Sequence, residues 1–147
     1  MRNIILIILL CISVISMSCT HNPEPINYGS DDCAHCKMTI VENKFGAEII
    51  STKGKVYKFD AVECMINFVN KGKMNQSDVE SYWAVDYNSP GTLINASSAY
   101  YLISQNIPSP MGANLSTYTS KTNAETKKNV SGGEVFNWSE LQNRIGR

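Results

Sequence analysis

The residues best suited to chemistry stand close together in Cys33-Ala34-His35-Cys36-Lys37-Met38. Two cysteines at this spacing can chelate one metal, close a disulfide or exchange electrons with another thiol pair. Met38 adds a thioether two residues after Cys36. Thiolate with thioether is the soft combination that selects Cu(I) over zinc or magnesium. His35, between the cysteines, is a candidate third ligand or an outer partner of the site. A second feature is Ser109-Pro110-Met111-Gly112. A methionine held between Pro and Gly is not placed for helix or strand packing. Met111 either covers an apolar patch or is brought by the fold to the cysteine pair. Cys64 falls on an apolar helical stripe and reads as a small packed hydrophobe. His21 lies in a polar segment and has weaker claims. The structural alternative for Cys33 and Cys36 is a disulfide formed in an oxidising compartment.

These side chains need a scaffold, and the pattern supplies one. Residues 45–51 (FGAEIIS) and 55–59 (KVYKF) alternate and flank Thr52-Lys53-Gly54, which predicts a β-hairpin. Asp60 then takes a helix N-cap position before an apolar stripe at 61, 62, 65, 66, 68 and 69. Lys71-Gly72-Lys73 closes that helix. Residues 82–87 (YWAVDY) read as a third strand. The same order recurs: strands at 98–104 and 114–119, a polar helix at 120–130 ended by Gly132-Gly133, a strand at 133–137, and a terminal helix at 139–145. The expected fold is α+β, two small ββαβ units packed as one compact domain. The units span about 38–90 and 91–147.

Composition limits the rest. The chain has 147 residues, 13 Lys plus Arg and 13 Asp plus Glu, so no basic excess is available for a nucleic-acid partner. With 43% hydrophobic and 18% charged residues, it is expected to fold. Met1-Arg2-Asn3 precedes an apolar run from Ile4 to Ile15. As a helix this run would be about 18 Å long, short of the roughly 30 Å hydrocarbon core, so residues 1–18 read as an export signal. Ser16-Met17-Ser18-Cys19 is like a lipobox, with cleavage before Cys19 and acylation of its thiol and amine. Ser16 stands where Leu is commoner. Residues 19–31 read as a lipid-anchored, extended linker, and residues 32–147 as the folded domain.

Along nearly all of the mature chain, the sequence resembles the NosL-type copper lipoproteins, accessory proteins for maturation of nitrous-oxide reductase. The resemblance rests on the lipoprotein start, Cys33-x-x-Cys36-x-Met38, Phe59-Asp60 with Cys64-Met65, and residues 82–87. It continues through Asn95-Ala96, Ala99-Tyr100-Tyr101, Ser109-Pro110-Met111-Gly112, Gly132-Gly133-Glu134-Val135 and Trp138-Ser139-Glu140-Leu141. It implies paired ββαβ units similar to one domain of the alkylmercury lyases. It also implies a non-enzymatic metallochaperone that binds Cu(I) and delivers it, in the periplasm or at the outer membrane, to a copper-accepting protein of the nitrous-oxide reductase machinery. By the family pattern Cys36, Met38 and Met111 are the leading ligands; many relatives lack the first cysteine, and Cys33 joins the candidates through its spacing to Cys36. Lys37 stands where the family often has Gly; its charge is expected to favour thiolate at Cys36. Two other functions compete. One is a thiol–disulfide oxidoreductase using Cys33 and Cys36, although the pair does not open an evident helix. The other is an organomercurial lyase, which needs two thiols and a carboxylate to converge; Cys33 or Cys36, Cys64 and Asp60 could supply them.

Overall fold

A computed structural model describes residues 21–145. The signal (1–18) and the acylated Cys19 of the sequence reading lie outside the described residues. Seven strands and three α-helices follow in the order β1 (Ala47–Ser51), β2 (Val56–Phe59), α1 (Val62–Asn70), β3 (Val79–Val85), β4 (Leu93–Asn95), β5 (Tyr100–Ile103), β6 (Leu115–Tyr118), α2 (Lys121–Ser131), β7 (Glu134–Asn137) and α3 (Trp138–Ile145). The strands form two antiparallel sheets, β2-β1-β3-β4 and β6-β5-β7. The α+β class and the repeated ββαβ order therefore match the pattern reading. The first sheet reaches further than expected, because β4 pairs with β3 through Trp83↔Asn95 and Val85↔Leu93. Strand β4 thus belongs to the first sheet. No helix among the described residues is long and apolar enough to cross a membrane.

Local chemistry explains the elements. In the β1–β2 hairpin Gly54 takes a φ of +75°, and its N–H bonds Ser51 O at 2.8 Å. A positive φ is cheap for glycine. Helix α1 ends at Lys71 and Gly72, whose φ is +71°. Ser120 caps α2 by accepting the Asn123 N–H. Asn137 and Glu140 form a reciprocal capping box on α3: Glu140 N donates to Asn137 Oδ1 at 3.0 Å and Asn137 N to Glu140 Oε2 at 2.8 Å.

Helix α1 lies on β1 and β2, burying Val62, Cys64, Met65, Ile66 and Phe68. Phe68 packs edge-on against Phe59 with ring centroids 5.3 Å apart. Trp138, at the start of α3, bridges the sheets by contacting Tyr82 of β3 and Tyr101 of β5 at 5.1 and 5.8 Å. One shared core thus fixes the two halves against each other.

The segment 21–31 is irregular, as its two prolines require, but it is docked rather than free. Ile26 is buried in the main core. It stands so close to Gly46 that a Cβ there would lie 2.7 Å from Ile26 Cδ1. Lys58 Nζ ties the segment to β2 through Pro25 O and Asp31 Oδ2, both at 2.8 Å. Glu24 N donates to Glu48 on β1, and His21 pairs with Glu80 on β3. A lone apolar side chain in a polar stretch gave no periodic signal of this docking.

Candidate metal centre

Two short segments build the site. The first is the loop carrying Cys33, Cys36 and Met38. Asp32 and Thr39 bridge its ends, while Cys33 N bonds Met38 O and Lys37 N bonds Cys33 O, at 2.8 and 2.9 Å. Ala34 N donates to Lys58 O, which fastens the loop to the last part of β2. Lys37 is held at φ +68°, the left-handed region that favours glycine. The turn therefore has a backbone reason to prefer Gly at position 37.

The second segment is the passage from β2 into α1. Asp60 was expected as the N-cap, but Ala61 occupies that position and receives no side-chain cap. Asp60 instead turns inward at 3% exposure, accepting from the Cys36 thiol with Sγ···Oδ2 at 3.7 Å. Its other oxygen, Oδ1, is buried without a hydrogen-bond partner. Cys64, in the first turn of α1, points the same way. It is buried as expected, but its neighbours are the other two thiols as well as the core. One ligand atom from each of Cys33, Cys36, Asp60 and Cys64 lies within 4.8 Å of the others. All three cysteines are free, so Cys33 and Cys36 do not form the disulfide. Sequence reading had treated Cys64 as packing and Asp60 as a cap. Helical spacing could not pair them, because Asp60 precedes the extended Ala61 N-cap and only the turn of the chain there brings its carboxylate beside Cys64.

The three thiols are electrostatically unequal. The Cys64 S–H donates to Cys33 and, with backbone N–H groups of Cys36, Asp60 and His35, brings the Cys33 thiol down to about 6. The same contact keeps Cys64 protonated well above the usual thiol range, with burial adding to it. Cys36 is also raised, first by burial and then by Cys33 and Asp60. The Lys37 charge does not produce the lowered Cys36 thiol that its position suggested; desolvation dominates there.

The methionines take a different position. Met38 and Met111 are 53% and 39% exposed, so neither is core filler. Met111 lines an open cleft of about 440 Å³ together with Cys64, His35, Glu63 and Lys71. The cleft thus joins one thiol of the pocket to the Pro-Met-Gly loop. A buried hydrogen bond of 2.6 Å from Ser109 Oγ to Glu63 Oε1 fastens that loop to α1. His35 is half-buried, and its Nδ1 has no partner. Burial and the nearby Lys73, Lys71 and Lys37 all disfavour its protonation. The neutral ring keeps lone-pair capacity. His21 lies by Glu80 on the docked segment instead.

Fold and site together define a small two-sheet α+β protein with a buried, thiol-rich pocket beside a thioether-bearing cleft. The family model described as NosL matches residues 26–145. The copper-binding lipoprotein NosL of Stutzerimonas stutzeri is 25% identical over 131 residues, spanning 83% of this chain and 68% of that protein. The crystal structure of the copper chaperone NosL from Shewanella denitrificans superposes with a TM-score of 0.72 at 19% identity, covering 82% of this chain and 96% of that one. The chain belongs to the NosL family.

Proposed function

We propose that this protein is a Cu(I)-binding metallochaperone that receives copper in the cell envelope and passes it to a partner by ligand exchange. The observation that carries the reading is the meeting of free thiols with exposed thioethers: three cysteines share one pocket, and Met111 shares a cleft with Cys64 and His35. Soft, polarisable donors suit Cu(I), and solvent-facing methionines suit its transfer to another protein. Cys36, Met38, Met111 and Cys33 are the proposed ligands, with His35 at the edge of the set. Relatives named as a copper-binding lipoprotein and a copper chaperone support a copper-binding role.

Family membership supports the finer assignments that we propose. Cys19 carries lipid and holds the protein to a membrane facing the periplasm. The acceptor belongs to the machinery that assembles nitrous-oxide reductase. No turnover is required of the chaperone. The oxidoreductase alternative is disfavoured by the full burial of Cys33, which leaves the half-buried Cys36 as the accessible thiol of the pair. The organomercurial-lyase alternative gains the convergence of thiols and carboxylate that it required.

Anaerobic Cu(I) titration against a competing chelator tests the proposal, using the reduced protein and Cys36→Ser, Met38→Ala and Met111→Leu. Each variant should bind more weakly, Cys36→Ser the most. Wild-type affinity no higher than that of Cys36→Ser would reject the chaperone. Cleavage of a mercury–carbon bond by the same preparation would favour the lyase.

A further inference from the structure

Met111 comes to the cleft from the second half of the chain, and little in its own turn fixes where it stands. The loop of Cys33, Cys36 and Met38 is closed by bonds among its own residues and fastened to β2 by another. Met111 has no such frame. It belongs to the turn Ser109-Pro110-Met111-Gly112, closed by Gly112 N–H to Ser109 O at 3.0 Å, with Gly112 at φ +80°. Pro at the second position and Gly at the fourth suit such a turn. The turn closes on itself, so its place on the body of the protein must be set by something outside it.

Glu63 supplies the attachment. It lies in the first turn of α1, next to Cys64, and is buried. Its Oε1 accepts the Ser109 hydroxyl at 2.6 Å across 46 residues of chain. Among the described residues this is the side-chain hydrogen bond that ties the 109–112 turn to another element. Ser109 is buried as well, so water competes poorly for the bond. The other carboxyl oxygen, Oε2, is buried with no partner. Burying a carboxyl group that is only half satisfied is costly where an apolar side chain could pack instead. The cost is understandable if the satisfied oxygen has a role. Glu63, Cys64 and Met111 line the same cleft. The bond therefore joins the helix that carries a pocket thiol to the turn that carries the thioether.

We infer that Glu63 is a positioning residue for Met111: by holding Ser109 Oγ it pins the turn to α1 and sets the thioether at the cleft before copper arrives. Glu63 itself does not touch the ion. A ligand on an unpinned turn has to be ordered each time the ion binds, and that ordering weakens affinity. Pinning the turn in advance removes the loss. This role rests on the proposal that Met111 ligates Cu(I).

Two readouts on the reduced protein test it: the Met111 methyl signal by NMR in the metal-free state, and Cu(I) affinity by chelator competition. Glu63→Ala and Ser109→Ala should each move the Met111 methyl signal towards that of a free methionine. The signal of the buried Met74 should stay in place, which shows that the variants fold. Each variant should weaken Cu(I) by about 10–100-fold, the usual cost of losing a partner behind a ligand. Glu63→Gln, which keeps the acceptor oxygen, should hold both readouts near wild type. In a Met111→Leu background, Glu63→Ala should weaken Cu(I) by no more than about two-fold further, because the two changes remove one interaction. A Met111 signal unmoved in both Glu63→Ala and Ser109→Ala would overturn the inference, as would losses that multiply in the double variant. Displaced Met111 signals together with wild-type Cu(I) affinity in Met111→Leu would reject Met111 as a ligand, while the pinning of its turn would stand.

Discussion

Cys33 and Cys64 are both buried thiols, yet they titrate in opposite directions because one donates its proton to the other. Cys64 S–H stabilises the Cys33 thiolate, and that thiolate in turn opposes ionisation of Cys64. The ultraviolet thiolate absorbance of the metal-free, reduced protein should therefore rise by one thiolate's worth near pH 6. Cys64→Ala removes the S–H donor, so the step should move upward. Cys33→Ser should abolish it. A first thiolate that forms only above pH 8 in the wild type would refute this pairing. Residue identities revealed the thiol pair and its soft neighbour Met38, because spacing within a loop is a local property. They did not reveal Asp60 in the pocket. Aspartate before a helix has a common local use as a cap, and only the inward turn of the chain at Ala61 denies it that use. Cys64 was ambiguous for a different reason. A helical stripe shows which side chains point inward, but both the core and the pocket lie inward.

At the scale of elements, the pattern was most informative where a period met a clear stop. The hairpin, α1 and the second strand-strand-helix-strand run all have alternation or a helical stripe ended by Gly or a cap. Strand β4 was invisible because three residues cannot establish a period, and its place is set by pairing with β3. The two glycines after α2 illustrate how one motif serves two purposes. Gly132 terminates the helix at φ +68° with open space around its Cα. Gly133, at φ +102°, lies against β5, where an added Cβ would come 2.1 Å from Ile103 O. Gly132→Ala should cost about 1–3 kcal/mol, because φ +68° with ψ −171° lies in a region that essentially only glycine occupies. Gly133→Ala should cost at least about 3 kcal/mol, because backbone must move as well. Equal losses in denaturant midpoints would show that the β5–β7 approach does not discriminate between them.

The whole molecule is held together by the shared core and by the segment 21–31 across the first sheet. Under that segment lies Glu48, fully buried on β1 with Oε1 unpartnered. Burial is the main reason that its carboxyl is raised to about 7 from the ordinary 4.5, with the Glu24 N–H and Lys58 opposing and the charges of Glu24 and Asp31 adding to it. The folded state holds this proton more tightly than the unfolded chain does. Its contribution is thus present below pH 4.5 and is lost as pH rises to about 7. Two and a half units correspond to a loss on the order of 3 kcal/mol. Glu48→Gln should remove this fall and leave the variant more stable than wild type at pH 8. A wild-type-minus-variant difference that is flat between pH 4.5 and 7 would exclude Glu48 as its source.

Docking of residues 21–31 also changes the meaning of the proposed membrane attachment. The segment begins with His21 packed at Gly54, in the turn of the hairpin, and ends with Asp31 bound to Lys58, beside Asp60. It therefore crosses the first sheet obliquely, from Glu80 of β3 over Glu48 of β1 to Lys58 of β2. A lipid on Cys19 would be separated from His21 by a single residue, a reach of about 7 Å. Such a short attachment works as a pedestal, not a leash. With that lipid in place the hairpin turn would stand close to the bilayer and the thiols about 20 Å further along the hairpin, at 3.3 Å per residue. Cargo would then be presented at a constant height, and an acceptor need only arrive at that height to meet it.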